Sequence, residues 1–254
     1  MLRVALALIA LAGPLAAADE EVVLGLSRDT VSITTNFEGS EILIYGAIKR
    51  ETPIRLDPPL EVVVTVAGPD RPVTVRRKER VAGIWVNTDA VEIDSAPSFY
   101  AVATSGPLEE VLRDTEDLRH KISIPRAIRS VGAPEDMTDT AAFTEALIRL
   151  RTRQGLYRTA EGGVELTEHT LFSTAIDMPA NLTEGTYDTR VFLTRDGEVV
   201  ARFETFIGVR KVGLERFLFT LSREQPLAYG LLSLAIAIAA GWGASAGFRA
   251  LKRG

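Results

Sequence analysis

The spacing of apolar positions changes character twice along this chain, and each change marks a boundary. Between Glu21 and Thr104, apolar residues come in short runs rich in Val, Ile, Thr and aromatics, the composition of half-buried strands. Runs at 21–26, 31–35, 41–48, 60–67, 73–77, 84–86 and 99–103 predict strands. Turn chemistry separates them at Asn36-Phe37-Glu38-Gly39-Ser40, Asp57-Pro58-Pro59 and Gly68-Pro69-Asp70-Arg71-Pro72. Seven or so short strands at this spacing are the pattern of a β-sandwich.

The period then lengthens to that of a helix. Gly106-Pro107 followed by Glu109 and Glu110 is a helix start, with proline at the first helical position and acids near the positive end of the dipole. Leu108, Val111, Leu112 and Leu118 predict one buried stripe. A second helix is predicted over 140–153, with Phe143, Ala146, Leu147 and Leu150 inward, an i,i+4 pair from Glu145 to Arg149, and Gly155 to end it. Residues 131–139 form a polar connector.

Strands resume at Leu156. Glu161-Gly162-Gly163 predicts a hairpin turn, and 170–176 a further strand. Residues 187–194 and 198–209 alternate apolar and polar and meet at Arg195-Asp196-Gly197, where Asp-Gly favours a tight turn. Ahead of them, Leu182-Thr183-Glu184-Gly185-Thr186-Tyr187 resembles a tyrosine corner, in which a Tyr entering a late strand bonds back to upstream backbone.

Both ends are apolar in different ways. Met1-Leu2-Arg3, the apolar run 4–15 and Ala16-Ala17-Ala18 follow the order of a secretory signal, with cleavage expected after Ala18. Residues 227–248 carry no charge and exceed the roughly 20 residues that a helix needs to cross a bilayer. Between the β body and this span, Leu214, Phe217, Leu218 and Leu221 predict an amphipathic stem.

The expected architecture is therefore mainly β: immunoglobulin-like β-sandwich module or modules with a helical insert and one C-terminal transmembrane helix. Its divisions are a signal peptide (1–18), a β-sandwich module (19–105), a helical insert (106–155), a second β module or completion of the sandwich (156–212), a stem (213–225), the membrane helix (226–248) and a cytoplasmic tail (249–254). The expected location is the inner membrane, crossed once, with the bulk in the periplasm and the carboxyl end in the cytoplasm.

Composition narrows the function by exclusion. The net charge of −5 is unlike that of a general nucleic-acid binder. With no cysteine, thiolate catalysis, zinc ribbons and disulfides are out. The two histidines, His120 at a helix end and His169 at a strand edge, read as structural, and no metal or other cofactor is expected. His-Glu-x-x-His, phosphate-loop and Ser-x-x-Lys patterns are absent, and no catalytic residue is assigned. Asp114-Thr115-Glu116-Asp117 reads as a solvated helix face. Asn181-Leu182-Thr183 fits a glycosylation sequon, meaningful only in a eukaryotic secretory pathway.

Three features keep functional readings open. Arg76-Arg77-Lys78-Glu79-Arg80 is either a wet strand end or a basic patch for an anionic envelope partner or lipid headgroup. Trp85, Phe99 and Tyr100 form either core or the lining of a small-ligand or lipid pocket. In the span, Ala235, Ala239, Gly243 and Gly247 recur every four residues and offer a face for helix association.

Arg77-Lys78-Glu79-Arg80-Val81-Ala82-Gly83-Ile84-Trp85-Val86-Asn87, followed by Ala96-Pro97-Ser98-Phe99-Tyr100-Ala101-Val102, resembles the putative transmembrane protein family of alphaproteobacteria. The order of signal, β body, helices, Tyr187 hairpin and terminal span is similar too. The resemblance implies a membrane-anchored envelope protein of uncharacterised activity. It also implies an accessory role beside a permease of the sulfite-exporter type, and it transfers no site residue.

Overall fold

The structure, a computed structural model, describes residues 20–34, 37–50, 53–54, 56–130, 140–212, 218 and 221–251. The signal peptide and the connector 131–139 lie outside the described residues, as does most of the stem, of which 221–224 is helical.

The strands are β1 (Glu20–Leu26), β2 (Thr30–Ile33), β3 (Gly39–Arg50), β4 (Leu60–Ala67), β5 (Asp70–Val81), β6 (Ile84–Pro97), β7 (Tyr100–Thr104), β8 (Tyr157–Ala160), β9 (Glu165–Thr167), β10 (Leu171–Pro179), β11 (Gly185–Arg195) and β12 (Glu198–Lys211). The helices are α1 (Leu108–Val111), α2 (Asp114–His120), α3 (Ile124–Ala127), α4 (Thr140–Arg153) and α5 (Pro226–Leu251). One sheet has the order β1-β3-β10-β9, a second β2-β12-β11-β4-β7-β8, and β5 and β6 pair only with each other. Strands from 20–104 and from 157–211 thus build the same two sheets.

Alternation decides what each strand buries. Ile42, Ile44, Phe172 and Ile176 of the first sheet join Val62, Val64, Val191 and Leu193 of the second in one core. β4 departs from simple alternation: Val62, Val63, Val64, Thr65 and Val66 are all at 0% exposure. A continuous apolar run of this kind belongs to a strand covered on both faces. The cover is the helical insert, which lies over the outer side of the second sheet. There the His120 ring stacks 5.4 Å from Phe192, and the Tyr100 hydroxyl reaches Ile122 O at 2.9 Å.

The insert breaks where one helix was expected. α1 ends because Leu112 turns extended, at φ −146° and ψ 124°, and Arg113 donates its N–H to Gly197 O at 2.9 Å. The Arg113 guanidinium also pairs with Asp196 and Glu198, which fixes the insert to the β11–β12 turn. Gly197 sits at φ +73°, and a Cβ there would come within 2.6 Å of Arg113 Cγ, so glycine is required twice over. Leu118 and Leu150, expected inward, are 60% and 47% exposed; Phe143 and Leu147 carry the packing of α4. The turn after β8 is not a hairpin either, since β8 pairs with β7 in one sheet and β9 with β10 in the other. His169 lies in the β9–β10 turn at φ +53°, and its carbonyl accepts from Arg50.

Three buried tyrosines each tie separate parts together. Tyr187 donates to Thr183 O at 2.8 Å, the bond of a tyrosine corner. Tyr157 donates to Pro97 O at 2.7 Å, and Tyr100 receives Arg190 Nη2 at 2.9 Å. Burial pushes all three phenols up from 10.0 to about 12, with nearby Arg190, Ser98 or Arg151 opposing it less strongly. The folded state keeps protons that the unfolded chain releases, so this contribution is whole below pH 10 and fades as pH rises through about 12. Alkaline titration followed at 295 nm should show these phenols ionising together with loss of structure by circular dichroism.

Candidate functional site

The β5–β6 hairpin is largely exposed from Arg76 to Ala90. At its root, Val75, Val91 and Ile93 are buried, and Arg77 lies over the Phe143 ring of α4 at 4.8 Å. An isolated bridge between Ser95 and Arg129 fastens the root to the insert. Beyond the Arg77–Asp89 ion pair, at 3.7 Å, the two strands pair with each other alone and project as an arm. The register shifts between Arg77 and Lys78, a bulge that bends and twists the arm at the point where it leaves the body.

The arm turns at Ala82 and Gly83, with φ +49° and +88°, the left-handed pair that matches strand twist in a two-residue hairpin. Around this turn Val81, Ile84 and Trp85 are 51%, 65% and 69% exposed. Strand alternation puts Arg76, Lys78 and Arg80 on one face of β5, and Arg80 stands directly opposite Trp85. Between Arg76 and Asp89 there are four cations and two carboxylates, on a chain whose net charge is −5. The arm is therefore a cationic stripe ending in an apolar tip.

A cleft of about 410 Å³ runs between the arm root and α4, lined by Arg76, Lys78, Phe143, Glu145 and Arg149. A second, of about 380 Å³, opens over the second sheet beside Asp70, Lys121, Asp188, Arg190, Arg202 and Glu204. Three of its charged groups, Arg190, Arg202 and Glu204, are engaged in bonds within the fold. Arg190 donates to Thr65 Oγ1, His120 O, Lys121 O and the Tyr100 hydroxyl, and Arg202 pairs with Glu204. Burial holds the Asp188 carboxyl above its ordinary range, against the pull of Arg190. Among the described residues no group of three His, Cys, Asp or Glu is arranged to hold a metal.

The structure does not bring Trp85 together with Phe99 and Tyr100. Phe99 and Tyr100 are core, each at 1% exposure, whereas Trp85 stands at the tip of the arm. Phe99 packs on Tyr187 at 5.9 Å between ring centroids, and Tyr100 lies beneath the insert. In sequence Trp85 was legible as an aromatic but not as an exposed one. The run Arg76–Arg80 was the signal for the arm, because so many charges suit a strand with water on both sides.

α5 holds the other expected site. Its stretch Pro226–Ser245 has a mean hydropathy of 1.7, is long and apolar enough to span a membrane, and is 0% buried by the rest of the protein. Ala235, Ala239 and Gly243 lie on this exposed helix; Gly247 continues it, though its surroundings fall outside the described residues. Over residues 21–250 the sequence matches the family described as "Putative transmembrane protein (Alph_Pro_TM)". The chain belongs to that family. No curated protein matches it. Because the match begins at the first strand and runs through α5, the β body, the arm and the membrane helix are all parts of the Alph_Pro_TM unit. It is a membrane-anchored protein whose folded part is mainly β.

Proposed function

We propose that this Alph_Pro_TM protein is a non-enzymatic interaction module, held by one helix in the inner membrane with its β body in the periplasm and its carboxyl end in the cytoplasm. The observation that carries the reading is the arm. A two-stranded hairpin gains little by itself, and an exposed Trp, Ile and Val at its tip contribute nothing to the core, so their burial is left for a partner. In the cleft over the second sheet, Arg190, Arg202 and Glu204 are engaged in structural bonds, which favours recognition over catalysis.

An immunoglobulin-like form for the body is supported by three features: the order β1-β3-β10-β9 against β12-β11-β4, the parallel pairing of β2 with β12, and the Tyr187–Thr183 bond. In that frame β5–β6 is an insertion after the strand equivalent to C. An accessory role at a permease of the sulfite-exporter type would bring the partner to the exposed α5 as well, where small residues permit close helix approach. The small-molecule alternative loses its aromatic pocket, because Trp85 is separated from Phe99 and Tyr100.

A photo-reactive residue at position 85, in intact cells, tests the module directly. It should give a discrete adduct, with protein or lipid, that the same probe at Glu92 near the arm root does not give. Equal and diffuse labelling from both positions would remove the arm as the working surface.

A further inference from the structure

The composition of the arm also specifies the chemistry of what it meets, if the arm is the working surface as argued above. We propose that its tip docks into the headgroup region of an anionic phospholipid bilayer, with Trp85, Ile84 and Val81 entering the interface and Arg76, Lys78 and Arg80 facing the lipid phosphates.

Three observations converge on a bilayer rather than a protein. First, the apolar part is small and sits at the extreme end of the hairpin, so it can enter a soft surface to the depth of a few side chains but offers no broad flat face for a protein interface. Second, its residue types are those of a membrane boundary: a Trp, whose amphipathic ring settles at headgroup level, flanked by Arg and Lys. Third, the charge has the right sign and place. Arg76, Lys78 and Arg80 lie on one side of β5, spaced two residues apart, so they form a line about 13 Å long by strand rise. This line leads to Trp85 on an otherwise acidic protein, and it complements a negative bilayer surface over a distance comparable to the Debye length.

The rest of the arm agrees. Arg80 Nε reaches Gly83 O at 3.4 Å, which carries its guanidinium forward over the turn, beside the tip residues. Arg77, by contrast, is turned to Asp89 and the Phe143 ring, so alternation along β5 separates it from the stripe, whose root end, Arg76 and Lys78, also borders the cleft beside α4. Because α5 anchors the same chain in a membrane, the arm works at high effective concentration of lipid, and weak contacts suffice. The consequence would be a body held in a fixed attitude to a membrane surface.

The chain has two tryptophans, Trp85 and Trp242, and the second lies in α5. Full-length protein carrying Trp242→Phe therefore reports on the tip alone. It would be reconstituted in vesicles of phosphatidylcholine, with or without phosphatidylglycerol, and quenched by lipids brominated near the headgroup. With phosphatidylglycerol, Trp85 emission should shift to the blue and fall by about twofold or more, and neither change should occur in phosphatidylcholine alone. The further substitutions Arg76→Gln, Lys78→Gln and Arg80→Gln should abolish the difference while far-ultraviolet circular dichroism stays unchanged, since all three side chains are exposed. Emission typical of water in both vesicles overturns the proposal, and so does equal quenching in both, which would mean that lipid charge is not read. If Trp85 stays wet in vesicles but position 85 gives a protein adduct in cells, the interaction reading stands and the lipid is the wrong partner. If position 85 gives no specific adduct either, the interaction reading itself fails.

Discussion

Replacing Leu234 and Ile238 by arginine should release the protein from the membrane fraction. Both residues lie near the middle of Pro226–Ser245, both are exposed on α5, and they sit one helical turn apart on the same face. An arginine at the centre of a spanning helix costs about 3 kcal/mol on insertion scales, so the pair costs about 6 kcal/mol before any snorkelling. A span whose mean hydropathy is 1.7, rich in Ala and Gly, has little excess to set against that. Carbonate extraction of membranes, with detection of the β body, measures the outcome. The double variant should appear in the soluble or degraded fraction, whereas Leu234→Ala with Ile238→Ala should stay largely anchored. Full retention of the arginine variant would show that α5 is not the anchor.

The second large effect is expected at Phe192. Its side chain is at 0% exposure on the side of the second sheet that faces the insert, with His120 at 5.4 Å and the guanidinium groups of Arg190 and Arg202 at 5.4 and 5.8 Å over its ring. Phe192→Ala removes the ring on which the insert rests and should cost about 3–5 kcal/mol, a large part of the stability of an ordinary domain. Trp85→Ala, a substitution of similar size at a position 69% exposed, should change stability by less than about 0.5 kcal/mol. Denaturant unfolding of both variants in mild detergent would measure the contrast. A destabilisation at Trp85 comparable to that at Phe192 would mean that the arm tip packs on the body.

Much of the strand layout was readable because its causes are local. Asp196-Gly197 takes the left-handed pair of a two-residue turn, and the alternation on either side runs on into β11 and β12. Tyr187 showed its corner through the Glu-Gly that precedes it, and the bond to Thr183 forms. The arm was underestimated for an equally physical reason. Charged residues from Arg76 to Arg80 interrupt the apolar pattern on which strand recognition relies, yet β5 continues to Val81, since a strand wet on both faces needs no apolar alternation. The insert misled in the opposite sense. Leu112 and Leu118 have helical spacing, but the pull of Gly197 O and of the acids at 196 and 198 on Arg113 broke the helix between them.

The functional surface was legible only in its parts. A basic run and a nearby tryptophan were visible in the sequence, but not that an uninterrupted β5 puts three cations on one side and that Trp85 stands across from Arg80. Phe99 and Tyr100 carried the same aromatic signal as Trp85 and proved to be core.

The sequence by itself determined the mainly β character, the site of the clearest hairpin and the apolar span, since each is set by neighbours a few residues apart and by the cost of leaving backbone or side chains in the wrong solvent. Tertiary structure alone decided that β1, β3, β9 and β10 share a sheet, that the second sheet is covered on both sides, and that β5 and β6 stand apart from both. Coverage is a property of what packs above a residue from elsewhere in the chain. For that reason a buried Tyr100 and an exposed Trp85, alike as letters, have opposite roles in this protein.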